Sequence, residues 1–313
     1  MKKLSFLVSL TNNDNDYQIE QAIAVEETAR RLGVGLEIAY AENDAITQSQ
    51  QILKAVQASA ETRPAGIIFE PVGGTALPQV ARAAVAAGIG WVVLNRDVEY
   101  ITELRKAYSA PCFGMTSDHE EIGRIQGRQF AAILPKGGSV LYIQGPAESL
   151  AAKQRTAGMY ETKPADVQVK VMKGGWTEES ANRTVSSWLR LSTSRQTRVD
   201  AIAAQDDSMA IGARKALQEL PQDDERRRWL NVPFLGCDGL PKTGQAWIKR
   251  GLLMASVFVP PNADKALDKL VRAIQTNSMP PERNLTVPAS IPALEELARA
   301  QAEKARALAA GRD

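Results

Sequence analysis

At 313 residues the chain is longer than one ordinary α/β core needs and long enough for two. Apolar residues make up 44% and charged residues 24%, with 22 Gly and 16 Pro, which excludes the low-complexity, collagenous and disordered classes. The 38 basic and 36 acidic residues are interspersed to a net charge of +2, so no basic footprint for nucleic acid stands out, and no run of 18 apolar residues offers a membrane span.

The opening MKKLSFLVSLTNN sets a Lys pair before a short apolar segment. Leu4 to Leu10 is at the lower limit for a secretory core, lacks a small-residue cleavage site, and is expected to be the first strand. Ile19, Ala22, Ile23, Glu26, Ala29 and Leu32 then recur at helical spacing, with Ile19 and Ile23 expected in the core and Gly33 as the stop. LEIAY is the second strand, residues 46–60 a helix, AGIIF the third strand, residues 76–87 a helix ended by Gly88, and WVVLN the fourth strand. An apolar, β-branched run such as WVVLN suits a strand covered on both faces. The alternation therefore predicts parallel strands flanked by helices.

After a break at Ala110-Pro111-Cys112 the pattern restarts with a helix over 118–134, the strand SVLYIQ, a helix over 151–161 and the strand VQVKVMK. A helix over 177–192, the strand VDAIAAQ and a helix over 208–220 follow. PQDDERRR is expected to be a solvated loop, VPFLG and LMASVFV strands, 262–276 a helix, and SMPPERNLTVPASIP irregular. ALEELARAQAEKARALAA reads as a surface helix packed by Leu294, Leu297 and Leu308. Two α/β series in tandem predict two similar lobes.

Ligands of doubly wound sheets gather at the carboxyl ends of the strands. Those ends carry residues 12–17, Glu70, Asn95-Arg96-Asp97, Gln144, Trp176, Gln205-Asp206-Asp207 and Cys237-Asp238-Gly239. Carboxylates accept, a guanidinium donates and amides do both, a set suited to hydroxyls that donate and accept at once. Tyr17 or Trp176 can cover the C–H face of a sugar ring. The same Asp, Asn and Gly residues are also the usual formers of turns and helix N-caps, so both roles stay open here.

Cys112 and Cys237 lack any CxxC or Cys/His spacing and are expected to be buried free thiols. His119, the only histidine, comes without HExxH or a nucleophile elbow, and is expected to be a surface residue at a helix start. PVGGT at 71–75 lacks the spacing of a phosphate cradle and reads as a loop. No nucleophile and base pair up, so neither catalysis nor a cofactor nor a metal is expected.

SLTNNDNDY, VVLNRD, TSDHEEIGRIQG, YIQGPAESLAAKQRTAGM, AAQDDSMAIGA and LGCDGLP, spread from about residue 4 to residue 265, together resemble the periplasmic sugar-binding proteins of the ribose-binding type. These share their fold with the effector domains of LacI-type repressors. The resemblance implies the type I periplasmic binding protein fold, two doubly wound, Rossmann-like α/β lobes with parallel sheets joined by a three-strand hinge. Residues 1–116 plus about 243–286 would form the N-terminal lobe, and 117–242 plus about 287–313 the C-terminal lobe.

It further implies that Asn13, Asp16 and Tyr17 hold a sugar ring from the first lobe, with Arg96 donating to ring hydroxyls and the ring oxygen. Asn95 stands where many relatives have an aspartate. From the second lobe come Arg155 of RTAGM, Trp176 as an aromatic wall, Asp206, and Asp238 of GCDG. Phe258 occupies a position commonly Gln or Asn, so the sugar is expected to lack a hydroxyl there or to meet a further aromatic wall. Asp97 either orients the Arg96 guanidinium or is a solvated turn residue.

The implied function is a monomeric solute receptor for a monosaccharide or related polyol. It would close around its ligand and deliver it to an ABC permease or a sensor kinase, in the periplasm after removal of a leader. The alternative is a cytoplasmic effector-sensing domain of a LacI-type transcription regulator. That form would lack its DNA-binding headpiece, since the sequence opens on a strand where a helix-turn-helix would stand.

Overall fold

The computed structural model describes residues 3–73, 76–192, 194 and 197–310. The chain forms two units, Met1–Ser117 with Pro261–Thr286, and Asp118–Pro260 with Val287–Asp313. Unit 1 begins with β1 (Ser5–Leu10), α1 (Asp16–Leu32), β2 (Gly35–Tyr40), α2 (Ala45–Val56), β3 (Gly66–Phe69), α3 (Pro78–Ala86), β4 (Gly90–Leu94), α4 (Tyr100–Ala107) and β5 (Cys112–Ser117). Unit 2 continues with α5 (His119–Ile133), β6 (Gly138–Gln144), α6 (Leu150–Thr162), β7 (Val167–Lys173), α7 (Glu178–Leu189) and β8 (Ala201–Ala204). It then adds α8 (Asp207–Gln218), α9 (Asp223–Leu230), β9 (Phe234–Leu235), α10 (Gly244–Lys249) and β10 (Ser256–Phe258). The chain returns to unit 1 for α11 (Ala263–Thr276) and β11 (Arg283–Thr286), and closes in unit 2 with β12 (Ala289–Ile291) and α12 (Leu294–Ala310).

Unit 1 is a sheet in the order β11-β5-β4-β3-β1-β2, every neighbouring pair parallel. Trp91, Val92, Val93 and Leu94 of β4 are all fully buried, as their unbroken apolar run predicts. Strand alternation divides them between two cores. Val92 and Leu94 pack with Val25 of α1 and Leu267 and Leu270 of α11. Trp91 and Val93 pack with Ile52 of α2, Ala84 of α3 and Leu104 of α4.

Unit 2 has the parallel order β7-β6-β8-β9, extended by a bridge from Leu235 to Ala255, after which β10 pairs antiparallel with β12. Helices α5 and α6 approach closely because glycines face each other's backbone. A Cβ on Gly123 would stand 2.0 Å from the carbonyl oxygen of Arg155, and one on Gly158 would stand 2.0 Å from that of Glu120.

Several sequence expectations are corrected. PQDDERRR is not a loop: α9 runs Asp223–Leu230, with Asp223, Asp224 and Glu225 in its first turn and Arg227 and Arg228 in its last, the arrangement a helix dipole favours. It is anchored by Trp229, which is 2% exposed and stacks edge-on against Trp188 at 5.5 Å. The break after Ala110 is instead a strand, β5, preceded by α4, and the Pro-rich stretch contributes β11 and β12. Ile19 is 40% exposed, and α1 turns Gln18, Gln21, Ala22, Val25 and Ala29 inwards. His119 is buried at 8% exposure and is not a surface residue.

The second passage between units lies at Pro260-Pro261, not near residue 243. The cause is packing: Trp247, Ile248 and Leu252 pack against the unit 2 core, and Gln245 Nε2 donates to Gly239 O at 2.9 Å, which keeps residues 244–258 with unit 2. Leu297 of α12 is buried against unit 2, whereas the side chain of Leu308 and residues Gly74 and Thr75 of PVGGT lie outside the described residues. Among the described residues no helix is long and apolar enough to cross a membrane.

Candidate functional site

In unit 1, β1, β3 and β4 lie side by side with Ser9 level with Phe69 and Phe69 level with Val93, so their carboxyl ends are flush. The loop after β1 is shaped by its asparagines. Asn12 Oδ1 accepts the backbone N–H groups of Asp14 and Asn15 at 3.3 and 3.0 Å, and Asn15 caps α1 by accepting from Tyr17 and Gln18 N–H. These two are turn and cap formers. They leave Asn13 exposed and place Asp16 and Tyr17, half-buried, in the first turn of α1.

Behind this edge lie buried amides that sequence reasoning did not single out. Gln18 Nε2 donates to Glu70 Oε2 at 2.9 Å. Gln48 donates to Glu70 O at 2.8 Å and to Ser9 Oγ at 3.2 Å, and accepts from Val72 N–H at 2.9 Å, tying β1, β3 and the following loop together. Asn95, at φ +53°, leaves β4 in the left-handed region that Asn tolerates better than most residues. Its N–H still reaches Met115 O at 2.9 Å, and its Oδ1 accepts from Asn262 Nδ2 at 2.6 Å.

Arg96 follows, half-buried, and its guanidinium makes no hydrogen bond or ion pair with any described residue. Asp97 does not orient it. Asp97 Oδ1 instead accepts from Arg283 Nε at 2.8 Å, an ion pair between half-exposed side chains.

In unit 2 the strand ends converge on Arg155 of α6, which is 7% exposed. Its Nη1 donates to Gln205 O and to Cys237 Sγ at 3.4 Å, and lies 3.8 Å from Asp238 Oδ1. The guanidinium also stands 5.4 Å from the ring of Trp176, a cation–π distance. Trp176 itself, at φ +63°, lies against Gly145, where a Cβ would come within 2.2 Å of the indole. Gln205 is wholly structural: it accepts Gly145 N–H at 2.9 Å and donates to Tyr142 Oη, Ala152 O and Thr156 Oγ1. Gln144 is held by Lys173 Nζ.

Asp206 caps α8 by accepting Met209 N–H at 2.8 Å. Asp207, one residue on and buried, accepts Gly239 N–H at 2.7 Å and Ser256 Oγ–H at 2.6 Å. It thereby braces the turn in which Asp238 sits at φ +98°, paired backbone to backbone with the neighbourhood of Phe258. Burial, then the charge of Asp238, pushes the Asp207 carboxyl well above the usual carboxylate range, although Ser256 and Gly239 oppose the shift. Arg155, Trp176, Asp206, Asp238 and Phe258 are thus brought into one cluster within unit 2, braced by Asp207. The sequence signal for Asp207 was its adjacency to Asp206; nothing local marked it as the brace.

Cys112 and Cys237 are free and buried. Burial raises both thiols, that of Cys112 to about 12. Among the described residues no group of three or more His, Cys, Asp or Glu is arranged to hold a metal.

Residues 6–277 match the family model for the periplasmic binding protein domain. The chain is 29% identical over 202 residues to a putative rhizopine-binding protein of Rhizobium meliloti, covering 62% of this chain and 61% of that relative, under two thirds of its length. It is 22% identical to the ribose import binding protein of Bacillus subtilis, over 83% of this chain and 77% of the relative. An ABC transporter periplasmic solute binding protein of Actinobacillus succinogenes, solved with bound D-allose, superposes with a TM-score of 0.79 at 20% identity, covering 94% of this chain and 99% of that one. The shared fold is α/β with parallel sheets in two lobes.

Proposed function

The chain belongs to the periplasmic binding protein domain family, and from that membership we propose that it is a solute-binding receptor for a monosaccharide or related polyol. One observation carries this reading: Arg96, a half-buried guanidinium at the end of a wholly buried strand, has no partner in the described chain. A charge so placed is best satisfied by a ligand. Ribose and D-allose, in the names of its relatives, are small polyhydroxylated molecules of the class these donors and acceptors suit.

In this reading Asn13, Asp16, Tyr17, Asn95 and Arg96 serve the ligand from unit 1. Trp176, Asp206, Asp238 and Phe258 serve it from unit 2, with Arg155 holding Asp238 and Trp176 in place. A ligand that binds one state of the receptor better than another shifts the population towards that state. The liganded form is what an ABC permease or a sensor would recognise, and the receptor works as a monomer in the periplasm by binding rather than by catalysis.

The test begins with a thermal-shift screen of pentoses, hexoses, deoxysugars and inositols, since a ligand of the native state raises the melting temperature. Calorimetry with the best ligand follows on Arg96→Ala and Asp238→Ala. Both should fold and lose at least about tenfold in affinity, because a buried ligand hydroxyl loses its partner. Unchanged affinity in both variants rejects the site.

A further inference from the structure

The chain has one Asp-Gly pair, Asp238-Gly239, and no Asn-Gly. Such a pair is open to isoaspartate formation, because glycine puts no side chain in front of its own nitrogen. In the first step the glycine nitrogen attacks Cγ of the aspartic acid: an N–C bond forms, the Cγ–OH bond breaks, and the hydroxyl leaves with the N–H hydrogen as water, closing a five-membered succinimide. Water then opens the ring. Addition at Cγ restores aspartate, whereas addition at the main-chain carbonyl carbon breaks its bond to nitrogen and leaves the chain running through Cγ. The fold cannot discard this glycine: Gly239 lies at φ +57°, and a Cβ there would stand 2.7 Å from Phe258 Cα.

The groups that must move are instead tied down. The peptide unit between the two residues is clamped at both ends, its N–H donating to Asp207 Oδ2 at 2.7 Å and its carbonyl, Asp238 O, accepting from Val259 N–H at 2.9 Å. The carboxyl to be attacked stands 3.8 Å from Arg155 Nη1. A succinimide is nearly planar, so Cγ must eclipse the main-chain carbonyl carbon about Cα–Cβ, about 60° from any staggered rotamer, which pulls against Arg155. Any turn of the peptide plane to meet it gives up the bonds to Asp207 and Val259. Asp207 is itself immobile: it is 3% exposed, its other oxygen holds Ser256 Oγ–H at 2.6 Å, and neither Gly236 nor Gly244 leaves room for a Cβ beside its carboxylate. We propose that Asp238-Gly239 is a latent isoaspartate site that Asp207 holds shut. The modification needs only water and is independent of what the protein binds; it would lengthen the main chain by one methylene and carry the carboxylate away from Arg155.

The test ages native wild type, wild type unfolded in urea, and variants side by side, and measures isoaspartate at position 238 by isoaspartyl methyltransferase labelling and electron-transfer fragmentation of the peptide that contains it. Ser256→Ala removes one partner of Asp207 and keeps the Gly239 bond. Asp207→Ala combined with Ser256→Ala removes that bond too, without orphaning the serine hydroxyl. The double variant should form isoaspartate at least about tenfold faster than Ser256→Ala, the scale of one charge-assisted hydrogen bond, and unfolded wild type should be fastest of all. Melting curves establish that each variant is native while it ages. If the double variant is not, Asp207→Asn decides in its place: its neutral oxygen holds the N–H more weakly, so its rate should exceed that of wild type severalfold. Equal rates in Ser256→Ala and the double variant, or in native and unfolded wild type, overturn the proposal, as does a wild-type rate in Asp207→Asn where that variant decides.

Discussion

Asp207 offers the sharpest test of how the unit 2 cluster is held. Its two oxygens each satisfy a different buried donor, Gly239 N–H and Ser256 Oγ–H. Asp207→Ala orphans both at about 1–3 kcal/mol each, hence a loss of about 2–6 kcal/mol. Asp207→Asn can keep both contacts: its oxygen accepts from Gly239, and Ser256 rotates its hydroxyl to accept from the new amide. Its expected loss is under about 1 kcal/mol, the scale of one neutral hydrogen bond.

The pair also differs in pH dependence. The folded carboxyl is raised above its unfolded value of about 3.9, so the folded chain holds that proton more tightly than the unfolded chain does. Its contribution to stability is fully present below about pH 4 and is lost as pH rises through the folded value. Asp207→Asn does not titrate, so wild-type stability should decline relative to this variant as pH rises from 4. Urea denaturation of the three proteins between pH 4 and 8 measures both effects. An alanine variant as stable as the asparagine variant refutes the bracing role, and a wild-type-minus-asparagine difference that stays flat with pH refutes the raised carboxyl.

Gly158→Ala should lower the melting temperature by several degrees, since its Cβ would lie 2.0 Å from Glu120 O and overpacking costs about 1–3 kcal/mol. Because Arg155 lies one turn away on α6, ligand affinity measured by calorimetry should fall as well. Cys112 and Cys237 should resist a thiol reagent in the native protein and both react in denaturant, as burial and raised thiols require; rapid native labelling of either contradicts their placement.

How much of this was legible beforehand depends on the range of the forces involved. The apolar run of β4 announced a doubly covered strand because burial on two faces demands apolar residues at successive positions. The motifs around Arg155, Trp176 and Asp238 marked side chains that the fold gathers into one cluster of unit 2. By contrast, α9 was hidden because its charges looked solvated, and its anchors, Trp229 against Trp188 and Leu230 on the unit 2 core, come from tertiary packing. Asp97 was equally ambiguous, since its partner Arg283 is 186 residues away.

Local patterning thus determined the α/β alternation, the parallel sheets and the chemical types at the strand ends, for these follow from periodicity within a few turns of chain. The tertiary structure alone decided which polar residues are spent on the scaffold and which remain available. Gln21 meets Asn262 across 241 positions and Gln205 reaches Tyr142 across 63, so neither partnership leaves a trace in local sequence. A hydrogen bond has a donor and an acceptor but no periodicity, and its partners are specified only when folding brings them within 3 Å.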